Sequence, residues 1–480
     1  MTDIEVDLVV VGLGPGGEAL ASGAAAAGLE VLAVDKHLVG GECPYYGCIP
    51  SKMMLRAADA LAEAGRADEL AGDVTVVPSW RPVAVRVRDQ ATADWDDTVA
   101  VERLEQAGAT VRHGTARLVP GEDGVRRVEV ALRDGSALVA TARRGVVLNP
   151  GTRPAAPPVD GLAGTPYWTN REAVRATVVP ASLVVLGGGP IGVELAQVFA
   201  RFGARTTIVQ RGERLLPGDE PEAAAVLADV LAGEGVRVMT GATTTSVSYA
   251  DGAFAIGLDD GETLHADRLL VAAGRTPNLD DLGLDVVGLD PTARTLPTDD
   301  HQRVLDADGT PLDGLWAVGD VVGRGAFTHV SMYQSAIALR SVLGQDGPGA
   351  DYRALPHVTF TDPEVAAVGL SEQAARDAGL SVRTGSTPME QSSRGFTHGP
   401  GARGLVKVVE DVGRGVLVGA TVVGPAGGEV MGALAVAVQG EVPTAALRSM
   451  MLAFPTFHRA IDTALADLDQ QESEREGDTA

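Results

Sequence analysis

Cysteine is almost missing from this chain: Cys43 and Cys48 are the only two among 480 residues. A chain this long buries enough apolar surface to fold without staples, so a disulfide framework is excluded. His37 lies near the pair, but no second cysteine pair exists to complete a zinc set, and no metal is expected. Basic residues are also scarce, 39 against 64 acidic ones, and the net charge of -25 excludes a role on nucleic acid or anionic membrane surfaces. Long apolar runs are missing too. The best candidate, from Leu8 to Val34, is interrupted by Glu18, Glu30 and several glycine or proline residues, so no membrane span is expected. The N-terminal stretch carries acids where a secretory signal needs bases, which makes a cytoplasmic protein the expectation. With 45% hydrophobic and 21% charged residues, the composition is that of an ordinary folded chain of two to four domains.

Glycine, by contrast, is plentiful, and part of it falls into two matching patterns. "VDLVVVGLGPGGEALASGAAAAGLEVLAVD" from Val6 and "ASLVVLGGGPIGVELAQVFARFGARTTIVQ" from Ala181 both read as buried strand, glycine turn, small-residue helix and second strand. In the first, Gly12 permits a tight turn, Gly14 lets backbone N–H groups approach a pyrophosphate, and Gly17 allows close packing of helix on strand. Asp35 closes the second strand, where a carboxylate can accept both hydroxyls of an adenosine ribose. A bare structural turn is the competing reading. The second loop, Gly187, Gly189 and Gly192, ends instead in Gln210 and Arg211. A missing carboxylate beside an arginine suits a 2′-phosphate and favours NADPH over NADH, unless Arg211 and Arg214 are only a solvated turn. One acidic ending and one neutral ending imply two different dinucleotides in one chain.

Between the loops, "RVEVALRDGSALVATARRGVVLNPGTRP" alternates like a strand meander turning at Asp134-Gly135. A comparable pattern closes the second fold near Gly274, a strand "LWAVGD" begins at Leu315, and a helix is expected from Thr328 to Ser341. After the glycine-rich linker at 344–351 no further glycine fingerprint occurs, and the remainder reads as an α+β domain with a charged, frayed tail. The fold class is therefore α/β, two Rossmann-like dinucleotide-binding domains plus a C-terminal α+β domain. The expected divisions are 1–150 and 281–350 for the first nucleotide domain, 151–280 for the second, 351–465 for the C-terminal domain and 466–480 for the tail.

The cysteines stand in "GGECPYYGCIPSKMM", four residues apart. A metal pair, a structural disulfide or inert core thiols, and a redox dithiol beside a flavin are the three readings. Pro50 and the alanine- and leucine-rich run after it place Cys48 at the start of a helix, whose positive end lowers a thiol pKa and holds a thiolate.

From about residue 5 to 465 the chain resembles the pyridine-nucleotide disulfide oxidoreductase family, whose members include dihydrolipoamide dehydrogenase, glutathione reductase and mercuric reductase. The resemblance rests on "GLGPGG", "GGECPYYGCIPSK", "GGGPIGVELA", "AAGRTPN", "LWAVGD" and "FTDPEVAAVGL" in the family's order. It implies FAD in the first fold, NADPH or NADH in the second, and a C-terminal interface domain that makes a homodimer. By position it implies Cys43 as the thiol that attacks substrate, Cys48 as the thiol next to the flavin, Lys52 beside flavin N5 and Glu194 as its partner. Asp320 falls at the aspartate of the FAD ribityl and pyrophosphate region, and Gly151 and Gly274 fall at the cofactor-side crossings.

The chain also departs from the pattern. Where the family has "HPTxxE", this sequence has "FPTFHR", with Phe454 at the base position and Arg459 at the glutamate position. General-base help is worth roughly a hundred- to ten-thousandfold, so oxidation of dihydrolipoamide is put in doubt; His458, a turn further on, is the candidate substitute, unless it is only a surface or interface histidine. The tail has no cysteine pair to receive mercury. Pro44, Tyr45 and Tyr46 are unusual between the cysteines, either packing or a platform for a flat acceptor. "NPG" at 149–151 stands for the usual "ATG" and is expected to alter only the crossing between domains. The expected function is NAD(P)H oxidation through FAD and the Cys43/Cys48 disulfide to a disulfide or other electrophilic acceptor. A quinone-type reductase acting directly from flavin and a non-catalytic redox sensor or binding partner are the rivals.

Overall fold

The computed structural model describes residues 2–121 and 125–478, with side chains as far as residue 468. The chain divides into two compact units, Met1–Pro50 with Val85–Ala155 and Arg275–Asp351, and Ser51–Ala84 with Ala156–Gly274 and Tyr352–Ala480.

In the first unit, Thr2–Val11 lies between Val31–Asp35 and Ala137–Leu148, all parallel, and Pro311–Ala317 adds alongside Ala137–Leu148. Valine, leucine and alanine fill these strands because both faces are covered, and Leu8 to Val10, Leu32 and Val146 to Leu148 are almost completely buried. The long strands Thr110–Val119 and Ala137–Leu148 run beyond the parallel part and pair antiparallel with Arg126–Leu132, which is the meander turning at Gly135. Register sets the site: Val11 is level with Val34 and with Leu148, and Leu148 with Ala317. Four strands therefore end together, and Gly12, Asp35, Asn149 and Gly319 follow at one edge, where open α/β sheets bind ligands.

The second unit repeats the plan on a smaller scale. Its four-stranded parallel sheet runs Arg268–Val271, Ser182–Leu186, Arg205–Gln210, Arg237–Thr240, with Val271, Leu186 and Val209 level. A three-stranded antiparallel ribbon, Thr244–Ala250, Ala253–Leu258 and Thr263–Ala266, shares a core with it through Phe254, Ile256 and Leu269. From Pro356 onward a five-stranded antiparallel sheet packs on the helices Gly427–Gln439 and Arg459–Asp478. The tail expected from residue 466 starts too early: Leu468 is fully buried in that core, because the last helix needs it to complete its apolar stripe. The frayed residues expected at 470–480 lie outside the described side chains. No helix among the described residues is long and apolar enough to cross a membrane.

Candidate active site

Each glycine loop follows from crowding. Gly12 has φ +89°, and a side chain there would strike the Asn149 backbone; one at Gly17 would strike the Gly12 carbonyl oxygen. The second loop matches it: Gly187 has φ +112° and abuts Ala272, and a side chain at Gly192 would strike the Gly187 carbonyl. Gly14 and Gly189 are the N-caps of the helices Pro15–Ala26 and Pro190–Arg201, each with Pro in the first turn. Nothing lies within 4 Å of a side chain placed at Gly189, so space is open where a phosphate would approach. Both loops thus fit a pyrophosphate at a helix N-terminus. In the first helix Glu18 is the acid of the first turn, and it is engaged by Arg103. In the second there is none.

The strand ends are alike too. Asp35 Oδ2 accepts the Leu13 N–H at 2.7 Å and Oδ1 the His37 N–H at 2.6 Å. Burial pushes its carboxyl up, and those two hydrogen bonds oppose the push. Gln210 Oε1 accepts the Gly188 N–H at 2.9 Å, the equivalent bond of the second loop. Arg211 is exposed, whereas Arg214 is tied to the Pro217 and Asp219 carbonyls at 2.8 and 3.0 Å.

"NPG" does more than alter a crossing. Asn149 is buried; its Nδ2 donates to the Gly12 carbonyl at 3.2 Å, and its Oδ1 accepts from Ser331 Oγ at 3.4 Å. It forms part of the floor of the first loop, a long-range contact that local spacing does not signal. Gly151, with φ +65°, accepts the Asn278 N–H at 3.0 Å through its carbonyl. Beside it Thr152 Oγ1 donates to Asp320 Oδ2 at 2.5 Å and accepts from Arg275 Nε at 2.5 Å. Arg275 also lies 3.7 Å from Glu42, which precedes Cys43. Gly274 has φ +133° and nothing within 4 Å of a side chain placed there.

Cys43 rides on a single turn of helix, Glu42–Tyr46, and Cys48 is the first residue of the helix Cys48–Gly65. Both are half-buried and not joined in a disulfide. The Cys43 thiol is pushed up first by its neighbour Cys48, then by burial; the Thr328 hydroxyl acts the other way. Thr328 Oγ1 lies 3.4 Å from Cys48 Sγ and opens the helix Thr328–Leu343. Cys48 stands at a helix N-terminus, whose positive end favours a thiolate. Tyr45 is buried, and its hydroxyl is pushed up to about 12 by burial and then by Asp97, Glu18 and Asp96. It is packing rather than a stacking platform.

In the second unit Lys52 Nζ meets Glu194 Oε1 and Oε2 at 3.0 and 2.8 Å. Glu194 Oε1 also accepts the Phe360 N–H at 2.9 Å, and the ammonium lies 4.6 Å from the Phe360 ring centroid. His458 is half-buried just before the last helix, and its carbonyl accepts the Ile461 N–H at 3.0 Å. Phe454 is 72% exposed, and Arg459 pairs with Asp462 at 3.2 Å.

Residues 6–335 match the family model described as pyridine nucleotide-disulphide oxidoreductase, and residues 355–465 match that family's dimerisation domain. A mercuric reductase of Acidithiobacillus ferrooxidans is 33% identical over 466 residues, covering 96% of this chain and 82% of the relative. A dihydrolipoyl dehydrogenase of Haloferax volcanii is 33% identical over 469 residues, 95% of this chain and 94% of the relative. Among solved structures, LpdA from Mycobacterium tuberculosis superposes with a TM-score of 0.84 at 27% identity, covering 98% of this chain and 100% of that one.

Proposed function

Since the chain belongs to the pyridine nucleotide-disulphide oxidoreductases, flavoenzymes that use FAD and NAD(P)H, we propose that Cys43 and Cys48 are the disulfide through which it reduces a disulfide or another electrophilic acceptor. FAD, when bound, supplies the two-electron transfer between nicotinamide and sulfur. Gly12, Gly14, Gly17, Asp35, Gly151 and Asp320 would hold it, with Lys52 beside it and Glu194 holding Lys52. Gly187, Gly189, Gly192, Gln210, Arg211 and Gly274 would hold the nicotinamide nucleotide. In this reading 1–150 and 281–350 form the FAD domain, 151–280 the NAD(P) domain and 351–465 the homodimer interface supported by the dimerisation-domain match.

The observation that carries the reading is the placement of the two cysteines, Cys43 on a short helix and Cys48 at the start of the next, 3.4 Å from the Thr328 hydroxyl. For a disulfide acceptor, the Cys43 thiolate attacks one sulfur and the first thiolate leaves and takes a proton. Cys48 then displaces the Cys43-bound sulfur, closing the intramolecular disulfide and releasing the second thiol. The acceptor gains two electrons and two protons. With phenylalanine at position 454, reduction of a disulfide or other electrophile suits the chain better than oxidation of the dithiol dihydrolipoamide, whose thiols need a base to deprotonate them. His458 is the substitute base of this proposal. Thiol chemistry of this kind works in a reducing compartment, in keeping with a cytoplasmic site of action.

Anaerobic titration with NADPH and NADH tests this. A long-wavelength absorption band that disappears in Cys48→Ser, and loss of disulfide reduction in Cys43→Ser, are expected. Wild-type turnover by Cys43→Ser with every acceptor sinks the dithiol route. Exposed Arg211 next to neutral Gln210 supports a preference for NADPH, and Arg211→Ala is expected to raise the NADPH KM without moving the NADH KM.

A further inference from the structure

One segment of the first unit adopts a conformation that its residue types disfavour. Ala93, Asp94 and Trp95 have φ of +47°, +57° and +59°, three successive non-glycine residues in the left-handed region. Single visits there are uncommon and runs rarer, because each Cβ crowds a carbonyl oxygen. Such a turn persists only where its surroundings over-determine it. Here both flanks are pinned. Buried Thr92 donates its hydroxyl to the Val87 and Arg88 carbonyls at 3.1 Å each, closing the π-helical turn Val87–Ala91. On the other side, Asp97 Oδ2 accepts the Val39 N–H at 2.7 Å and lies 2.8 Å from His113 Nε2.

The turn aims Trp95 at the cysteine segment. Trp95 Nε1–H donates to the Tyr45 carbonyl at 3.1 Å, and the Tyr45 hydroxyl returns a bond to the Asp96 carbonyl at 3.4 Å. With the Asp97–Val39 bond, the segment 95–97 grips the chain at residues 39 and 45, on both sides of Cys43. A five-residue helix is too short to hold its own geometry, and its last carbonyls have no partner within the helix. Trp95 supplies one.

We propose that Trp95 is a positioning residue for the redox pair. By capping Tyr45 it holds the turn that carries Cys43 against Cys48 and raises the effective concentration of one thiol at the other, favouring the closed disulfide. The proposal rests on the redox role given to the pair above.

The test is the equilibrium dithiol plus glutathione disulfide to Cys43–Cys48 disulfide plus two glutathione thiols. The FAD-loaded enzyme is equilibrated anaerobically in glutathione buffers, acid-quenched, alkylated, and its disulfide fraction read by mass spectrometry. Wild type is expected to titrate as one two-electron couple. Trp95→Phe, which keeps a ring but loses the donor, is expected to move the equilibrium about three- to tenfold toward the dithiol, and Trp95→His, which keeps a ring N–H, to recover part of that. A Trp95→Phe equilibrium within about 1.5-fold of wild type overturns the clamp alone. A wild type showing no couple overturns the redox role and the clamp with it. Should Trp95→Phe fail to fold, the indole N–H of Trp95 in 15N-labelled wild type decides: slow solvent exchange and a resonance that shifts on reduction support the clamp, and free exchange overturns it.

Discussion

Removing Lys52 is expected to destabilise the chain more than neutralising Glu194, although the two form one ion pair. The Glu194 side chain is 6% exposed and that of Lys52 34%. Lys52→Met leaves a carboxylate that has lost water and its cation and keeps only the Phe360 N–H at 2.9 Å. A buried pair broken in this way costs roughly 3 to 5 kcal/mol; because a third of Lys52 already meets water, about 2 to 3 kcal/mol is expected here. Glu194→Gln keeps an acceptor for Phe360, and the ammonium retains solvent and the Phe360 ring, worth about 0.5 to 1 kcal/mol, so its cost is about 1 kcal/mol. Urea unfolding of both single variants and the double variant closes the cycle, with a coupling energy of about 1 to 2 kcal/mol expected. Coupling below about 0.3 kcal/mol, or Lys52→Met no worse than Glu194→Gln, refutes the reasoning.

Gly189→Ala meets no protein atom within 4 Å, so it should fold and bind FAD normally while raising the KM for NAD(P)H by about tenfold or more; Gly192→Ala, which strikes the Gly187 carbonyl, should lower stability as well, and calorimetry beside kinetics separates the two. Thr328→Val removes the hydroxyl 3.4 Å from Cys48 Sγ, and the pH midpoint of iodoacetamide alkylation should rise by about half to one pH unit. Burial pushes the Asp59 carboxyl up to about 6, opposed by Arg201. A raised carboxyl binds its proton more tightly folded than unfolded, so its stabilising effect is present below about pH 4 and lost as pH rises to 6. Its partial exposure limits this to about 1 kcal/mol, and urea midpoints of wild type against Asp59→Asn should show wild type losing ground between pH 4 and 7.

How much of this was legible in the sequence follows from sequence distance. The two glycine loops, the helix starting at Cys48 and the strand ends at Asp35 and Gln210 are local patterns, since turn, helix and strand occupy some thirty consecutive residues in each case. Asn149 under Gly12, Thr328 beside Cys48 and Trp95 on Tyr45 are invisible to spacing because they are 137, 280 and 50 residues from their partners. Tyr45 was open to two readings because an aromatic side chain serves a core or a ligand equally well; burial decides for the core. The expected tail starts too early because the residues after Leu468 are polar and charged, and the contact that buries Leu468 is made by distant strands.

The hydrogen bond that the Gly188 amide donates to Gln210 has a bearing on how such proteins diversify. A neutral amide oxygen there does the folding work that a carboxylate does at Asp35, so closure of the turn does not require the charge that reads a ribose. Evolution, or an engineer, is thereby free to retune which nucleotide is accepted at that position by exchanging one oxygen-bearing side chain for another, with little penalty to the scaffold.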